Sequence, residues 1–354
     1  MSQEVDKNQL KATFSNPLDA ELLSADDILL APRLGLLNSR SEAELYPFIY
    51  SAPMDTVTGT ELAEAMLSAG EYPVMCRFLK EEWSTAISRW SSNSNVFFAI
   101  GIKDVETIQS LPLSKTNPTS IAVDVAHGDS EQTLNAIRNL ATFPEIGNIM
   151  SGSICTPDAA LRALEAGATH LRVGVGPGSV CITRQMTGCG VPQLSAIYLI
   201  NKILCEQGVR DRVTLIADGG IRTPGDAVKY LAAGADAIML GSRFSRCEES
   251  AGWTSCQHFE TGIVRKTKSY RGQASTDFQK EVLDKLSACP EGKATEVFTP
   301  DRTCGAIIEE FRGGVASALS YLGVQSLREL VPENTTFLKV TPAAYLEGRA
   351  HGTE

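Results

Sequence analysis

From residue 49 to residue 244, short apolar and β-branched runs alternate with amphipathic stretches at one steady beat, and this alternation restricts the fold more than any other feature. The strand-like runs are IYSAPMD (49–55), YPVMCRF (72–78), VFFAIGI (96–102), SIAVDVA (120–126), NIMSGSI (148–154), HLRVGVG (170–176), VTLIADGG (213–220) and AIMLGSRF (237–244), eight in all. Between them lie helical stretches such as GTELAEAMLSAG, SEQTLNAIRNLATF, TPDAALRALEAGA and TPGDAVKYLAAGA. The last two open on Thr-Pro and close on Ala-Gly-Ala, which supplies an N-cap, a proline at the first helical position and a glycine stop. Eight such units predict an α/β chain folded as a (β/α)8 TIM barrel, with its active site on the loops after the C-terminal ends of the strands. A doubly wound sheet is the other architecture compatible with this beat. The repeat breaks after Phe244: residues 245–303 read as a polar, irregular insertion until CGAIIEEFRGGVASALSYLG (304–323) resumes as an eighth helix. An insertion of that size after strand eight is expected to be an active-site flap, within one barrel domain over residues 1–354.

With 354 residues, 43% of them hydrophobic, the chain can bury a large core. Its first twenty residues lack a basic-then-apolar leader pattern, and no apolar run approaches the roughly 18 residues of a membrane span, so a cytoplasmic protein without membrane contact is expected. Nine scattered cysteines with no Cys-x-x-Cys pair argue for free thiols rather than disulfides or zinc. A net charge of −10 disfavours nucleic acid, which needs a basic face, but leaves small anions open through local clusters.

The chemistry concentrates in the last three strand ends. GVGPGSVCITRQMTGCGVPQ (174–193) suits neither a strand nor a helix interior, so it reads as a shaped loop around Cys181. A structural cysteine usually lies on an apolar face; Gly-Pro-Gly-Ser and Thr-Arg neighbours instead favour an exposed, activatable thiolate on the barrel rim. ADGGIRTPGD puts Asp218, Gly219 and Gly220 after strand seven, with bare amides and a helix start behind them, and LGSRF puts Gly241 and Ser242 after strand eight. Either glycine turn alone could be only a tight turn; two of them at these loops match the usual phosphate seat of a barrel. GVGPGS is not a dinucleotide fingerprint, because Ser179 stands where the third glycine belongs.

GVGPGSVCITRQMTGCGVPQLSAI, together with SAPMDTVTG, IADGGIRTPGD, MLGSRF and YRGQAS, resembles the IMP dehydrogenase/GMP reductase family, and the likeness spans about residues 25–340. The resemblance implies a tetrameric (β/α)8 barrel in which the loop cysteine attacks purine C2, forming a thioimidate that exchanges hydride with a nicotinamide cofactor. IMP dehydrogenases usually insert a regulatory domain after strand two, and the passage from Phe78 through Trp83 to Val96 leaves no room for one. They also carry an Arg-Tyr pair in the flap that activates water, whereas Gly272 to Gly292 contains neither residue. The compact flap, SACPEGKAT and NTTFLKV resemble GMP reductase, so the expected reaction is NADPH-dependent conversion of GMP, or a related guanine nucleotide, to IMP and ammonia.

On that resemblance Cys181 is the nucleophile, and Thr183 with Glu291 deliver the proton to the departing amino group. Ser179, Gly220, Gly241, Ser242 and Tyr270 hold the phosphate, Asp218 takes the ribose hydroxyls, and Met54, Gly219, Gly272 and Gln273 complete the nucleotide site. Asp124 lies beside the nicotinamide ribose with Ala126 and His127 on the same loop. Gly176, Gly178 and Cys181 offer backbone carbonyls to a monovalent cation such as K+. Arg265, Lys266, Lys268 and Arg271 in TGIVRKTKSYRG could steer a phosphate, or form only the solvated face of a hairpin. Two departures stand out. Met75-Cys76-Arg77 replaces a family His-Lys pair, putting Cys76 at the lysine position with Arg77 beside it, and a guanidinium cannot surrender a proton as an ammonium can. Gln273 replaces a methionine against the purine, so a deoxynucleotide or modified purine substrate stays open. Also open are an IMP dehydrogenase lacking the regulatory domain and a non-catalytic purine-nucleotide-binding barrel.

Overall fold

The computed structural model describes residues 21–258, 264–299 and 302–348. Strand β1 (Ile28–Leu30) precedes the barrel. The barrel strands are β2 (Ile49–Ser51), β3 (Val74–Met75), β4 (Phe97–Ile100), β5 (Thr119–Val123), β6 (Ile146–Ile154), β7 (His170–Val173), β8 (Thr214–Asp218) and β9 (Ala237–Leu240). They form one parallel sheet in the order β2-β9-β8-β7-β6-β5-β4-β3. The ends meet where Ser51 N–H donates to Tyr72 O at 3.2 Å and Tyr72 N–H donates to Ile49 O at 3.0 Å, so the sheet closes into the (β/α)8 barrel the alternation predicts. All eight strands overlap the expected runs; β5 begins one residue early and β6 two, and every strand but β6 is shorter than its run. β3 is trimmed to Val74–Met75, with Pro73, which has no N–H to donate, just before it.

The barrel strands are buried along most of their length, as expected of parallel strands covered on both faces. Toward the N-terminal mouth His170 packs edge-on against Phe97, with ring centroids 4.9 Å apart, and burial pushes its imidazole down to about 4. The helices behave as their punctuation requires. Thr156 caps Pro157–Glu165, and Thr223 with Asp226 forms a capping box on Pro224–Ala232. Helix Glu131–Leu140 turns Leu134, Ile137 and Leu140 onto the barrel, each contributing about 1.5–3 kcal/mol by leaving water. The closing helix runs Cys304–Leu322 and stops at Gly323, whose φ of +67° suits a left-handed cap. β1 pairs antiparallel with β13 (Phe337–Lys339) outside the barrel.

The stretch read as irregular, 245–303, is largely ordered. After a 3-10 turn at Phe244–Arg246, β10 (Thr254–His258), β11 (Val264–Arg271) and β12 (Ala294–Phe298) form an antiparallel sheet in the order β10-β11-β12, with helix Thr276–Glu281 between the last two. Its polarity misleads because its charges are satisfied internally. Lys268 is buried and donates to the carbonyls of Glu248 and Ser250, each at 2.6 Å, while Arg271 is buried against Asp55 at 2.9 and 2.7 Å. Those two cations hold the sheet on the barrel and are not free to steer a ligand; Arg265 and Lys266 are exposed. The start of the TGIVRKTKSYRG segment, residues 261–263, lies outside the described residues, as do residues 1–20. Among the described residues no helix is long and apolar enough to cross a membrane.

Candidate active site

The cysteine loop leaves β7 at Gly174, where φ is +152° and an added Cβ would stand 2.0 Å from the Asp218 carbonyl oxygen. Only glycine lets the ends of β7 and β8 approach so closely. The loop then turns so that the Cys181 N–H donates to the Gly178 carbonyl at 3.1 Å, and the Cys181 thiol lies 3.2 Å from the Thr183 hydroxyl. A short helix, Thr183–Thr187, interrupts what the glycine content suggested was loop throughout, and Gly188 ends it with φ of +71°. All nine cysteines are free; Cys181 is half-buried, whereas Cys76, Cys247 and Cys304 are fully buried.

The flap reaches this loop through its backbone. Ile182 N–H donates to Glu291 O at 2.8 Å, Lys293 N–H to Val180 O at 2.8 Å, and Gly272 N–H to Lys293 O at 3.0 Å. Both legs of the flap, 272–275 and 291–293, are thereby sewn to the segment that carries the thiol. Gln273 donates its side-chain amide to the Pro53 carbonyl at 2.7 Å, tying the flap to the turn after β2.

Between these pieces lies a cavity of about 230 Å3. Cys181, Thr183 and Glu291 border it, as do Ser179, Gly219, Gly220, Gly241, Ser242 and Tyr270 from the three strand ends and the flap. Met54, Gly272 and Gln273 form another side, and Gly176 and Gly178 lie in the loop wall. Asp218, Asp124 and Ala126 complete the set, so the expected residues converge from six different loops. His127 is the exception: it is exposed and does not line the cavity, because the chain after Ala126 turns outward before Gly128 N–H returns to Ser153 O at 2.7 Å. The Ser179 and Tyr270 hydroxyls lie 3.4 Å apart, a hydroxyl pair facing the two glycine turns.

The floor carries a charge cluster that sequence reading missed. Arg172, 5% exposed, donates twice to Asp124 at 3.0 Å and once to Ser153 at 3.2 Å, with Asp218 at 3.6 Å. Burial pushes the Asp218 carboxyl up to about 6 against the pull of Arg172, with Asp124 adding to the rise. The signal was present in HLRVGVG, where a lone cation in an apolar strand must find carboxylates inside the fold. The residues that stand in place of the His-Lys pair behave differently from each other. Cys76 is buried and its thiol is pushed far up by burial, so it takes no part as an acid at neutral pH. Arg77 lies over the Phe78 ring at 4.1 Å and brings its Nε to 3.9 Å from Asp124 Oδ2; neither atom has a hydrogen-bond partner.

A model of the IMP dehydrogenase / GMP reductase domain matches residues 37–351. The chain is 36% identical over 251 residues to an inosine-5'-monophosphate dehydrogenase of Chlorobaculum tepidum, covering 65% of this chain and 47% of that protein. It is 34% identical over 264 residues to the enzyme of that name from Nitrosopumilus maritimus, with 72% and 53% covered. Against the one from Staphylococcus aureus the values are 36% over 267 residues, with 72% and 52% covered. The chain thus spans about half the length of the curated relatives it matches.

Proposed function

Since the chain belongs to the IMP dehydrogenase / GMP reductase domain family, we propose that it is a GMP reductase-type oxidoreductase, converting GMP or a related guanine nucleotide to IMP and ammonia through a Cys181 thioimidate. The observation that carries this reading is the flap seam at Cys181. The segment Gly272–Gly292 that borders the thiol brings Glu291 and contains neither Arg nor Tyr, so the pair that would activate water is missing from it. In this reading the whole chain acts as one barrel unit with 245–303 as its flap.

The chain's own groups account for the chemistry as follows. The phosphate takes the hydroxyls of Ser179, Ser242 and Tyr270 and the bare backbone of Gly220 and Gly241, while Asp218 accepts from the ribose. Met54, Gly219, Gly272 and Gln273 border the base. Cys181, as thiolate, forms the bond to C2; the 2-amino group leaves as ammonia with a proton from Thr183 and Glu291. C2 then gains a hydride and the C2–S bond breaks, releasing the hypoxanthine nucleotide and the thiol. A bound reduced nicotinamide, NADPH in this proposal, supplies that hydride. The fit for it is the orphaned Asp124 Oδ2, which is buried, lacks a hydrogen-bond partner and borders the cavity beside Ala126, where a ribose hydroxyl can donate to it. A monovalent cation such as K+ would take the carbonyls of Gly176, Gly178 and Cys181, oxygen donors suited to alkali cations, although the Gly178 carbonyl already accepts the Cys181 N–H. Assembly as a homotetramer follows the family resemblance.

A second reading, an IMP dehydrogenase without the inserted regulatory domain, is favoured by the names of the relatives. Purified protein mixed with GMP and NADPH, monitored for nicotinamide oxidation and ammonia together and run beside IMP with NAD+, separates the two. Coupled oxidation and ammonia release is expected; xanthosine monophosphate from IMP with no turnover of GMP would establish the dehydrogenase.

A further inference from the structure

A second cavity, about 250 Å3, adjoins the first behind the glycine turns and shares Ser179, Gly220 and Ser242 with it. These are the residues assigned above to the phosphate. On the far side stands Tyr230, from the helix Pro224–Ala232. It is 3% exposed, and no described residue hydrogen-bonds to its hydroxyl. Its hydroxyl is not sealed in the core but reaches this cavity, where an entering group can accept from it. Its position is fixed by Gly220: a Cβ built there would lie 3.1 Å from Tyr230 Oη, so the hydroxyl faces the bare backbone of the turn.

The helix end beside this turn cannot do the same work. The capping box takes its Asp226 N–H, from which Thr223 accepts at 3.2 Å, and Asp226 accepts from the Arg222 and Thr223 N–H groups just before the helix at 2.9 and 3.1 Å. A carboxylate already occupies the positive end of the helix, and an anion at Gly220 must be held by other donors. Arg222 is engaged by Asp26, which also lines the cavity, and by Asp226. Arg184, which donates to the carbonyls of Val175 and Val191, brings a positive charge to the cavity with no carboxylate partner among the described residues.

From this arrangement we infer that Tyr230 donates its hydroxyl to the substrate phosphate, from the side opposite Tyr270, and so acts as a specificity determinant for the phosphorylated form of the ligand. The inference rests on the phosphate seat proposed above, but not on the base or the reaction. It is tested by titration calorimetry of the full chain and of Tyr230→Phe with GMP, ribose 5-phosphate and guanosine. Tyr→Phe keeps the ring and its packing. The variant is expected to bind both phosphorylated ligands about tenfold more weakly, as for loss of a hydrogen bond to a charged group, with guanosine unchanged. Equal affinities of the two proteins for the phosphorylated ligands, or a loss shared by guanosine, would overturn the role. Binding of ribose 5-phosphate without GMP or guanosine would instead sink the purine reading, and the Tyr230 role would still be decided by the ribose 5-phosphate ratio.

Discussion

The backbone N–H of Ile182 donates to the carbonyl of Glu291 at 2.8 Å, joining residues 109 positions apart in sequence. Through that one bond, the residue after the thiol and the flap residue Glu291 become neighbours, and both Cys181 and Glu291 border the cavity. The pairing makes Glu291 a candidate acid for whatever leaves the carbon bonded to sulfur.

Glu291→Gln is therefore expected to slow ammonia release by about a hundredfold or more, the usual contribution of a positioned acid, while the backbone seam survives. Hydride transfer, followed in a single turnover from IMP with oxidised cofactor, should change far less. Equal losses in both half-reactions would count against the assignment.

Cys181→Ala should lower kcat by at least about a thousandfold, since covalent capture of C2 has no substitute in the cavity. GMP affinity should stay within a few-fold, because the phosphate seat proposed above does not use the thiol and, Ser179 apart, comes from other strand ends and the flap. Steady-state turnover persisting in this variant would exclude the thioimidate route.

Asp218 makes ligand binding and stability respond to pH in opposite senses. Its carboxyl is held near 6 in the fold against about 3.9 in an unfolded chain, so between those values the folded state binds more protons. This group's stabilisation is complete below about 3.9 and is lost as pH rises through about 6. In the proposed site Asp218 accepts from the ribose hydroxyls as a carboxylate, so guanosine affinity is expected to rise across pH 6. Guanosine avoids the titration of a phosphate in the same window, and Asp218→Asn should flatten the profile.

Arg172→Met removes the cation shared by two carboxylates. Breaking such a buried cluster costs about 3–5 kcal/mol, readable as a lower urea midpoint at neutral pH. Part of the loss should return at pH 5, where a freed Asp124 or Asp218 can take up a proton. A variant as stable as the parent would mean that water reaches the floor of the barrel.

The barrel was legible because its information is local. Thr156 and Thr223 announce helix starts, and each strand run carries its own hydrophobic pattern. The rim was legible for a related reason, since Gly174, Gly219 and Gly220 hold backbone conformations that only their residue type accepts readily. The flap sheet was hidden because Lys268 and Arg271 read as solvent-facing charges, and their partners, Glu248, Ser250 and Asp55, become neighbours only after folding. Arg172 escaped in the same way. His127 lies three residues beyond Asp124, where the chain has already left the cavity.

Between β2 and β3 the backbone ladder is two hydrogen bonds at Tyr72, backed by Val74 N–H to Ser51 Oγ at 3.0 Å and by the Glu71 carboxylate accepting from Phe48 and Ile49 N–H at 2.9 and 2.8 Å, whereas β4 and β5 run in register from Phe97 to Ile100. Mechanically it is a hoop whose backbone ladder is short at this joint, and load applied to the rim falls there on side chains. Above that joint stand Met54 on one lip and Arg77 on the other, so the cylinder would part at the lip nearest Asp124 while the thiol loop, anchored between β7 and β8, keeps its shape. The amides of Ser51 and Tyr72 should then exchange with solvent well before those of β5, and the wall opposite the cysteine is the one able to yield to a bulky second ligand.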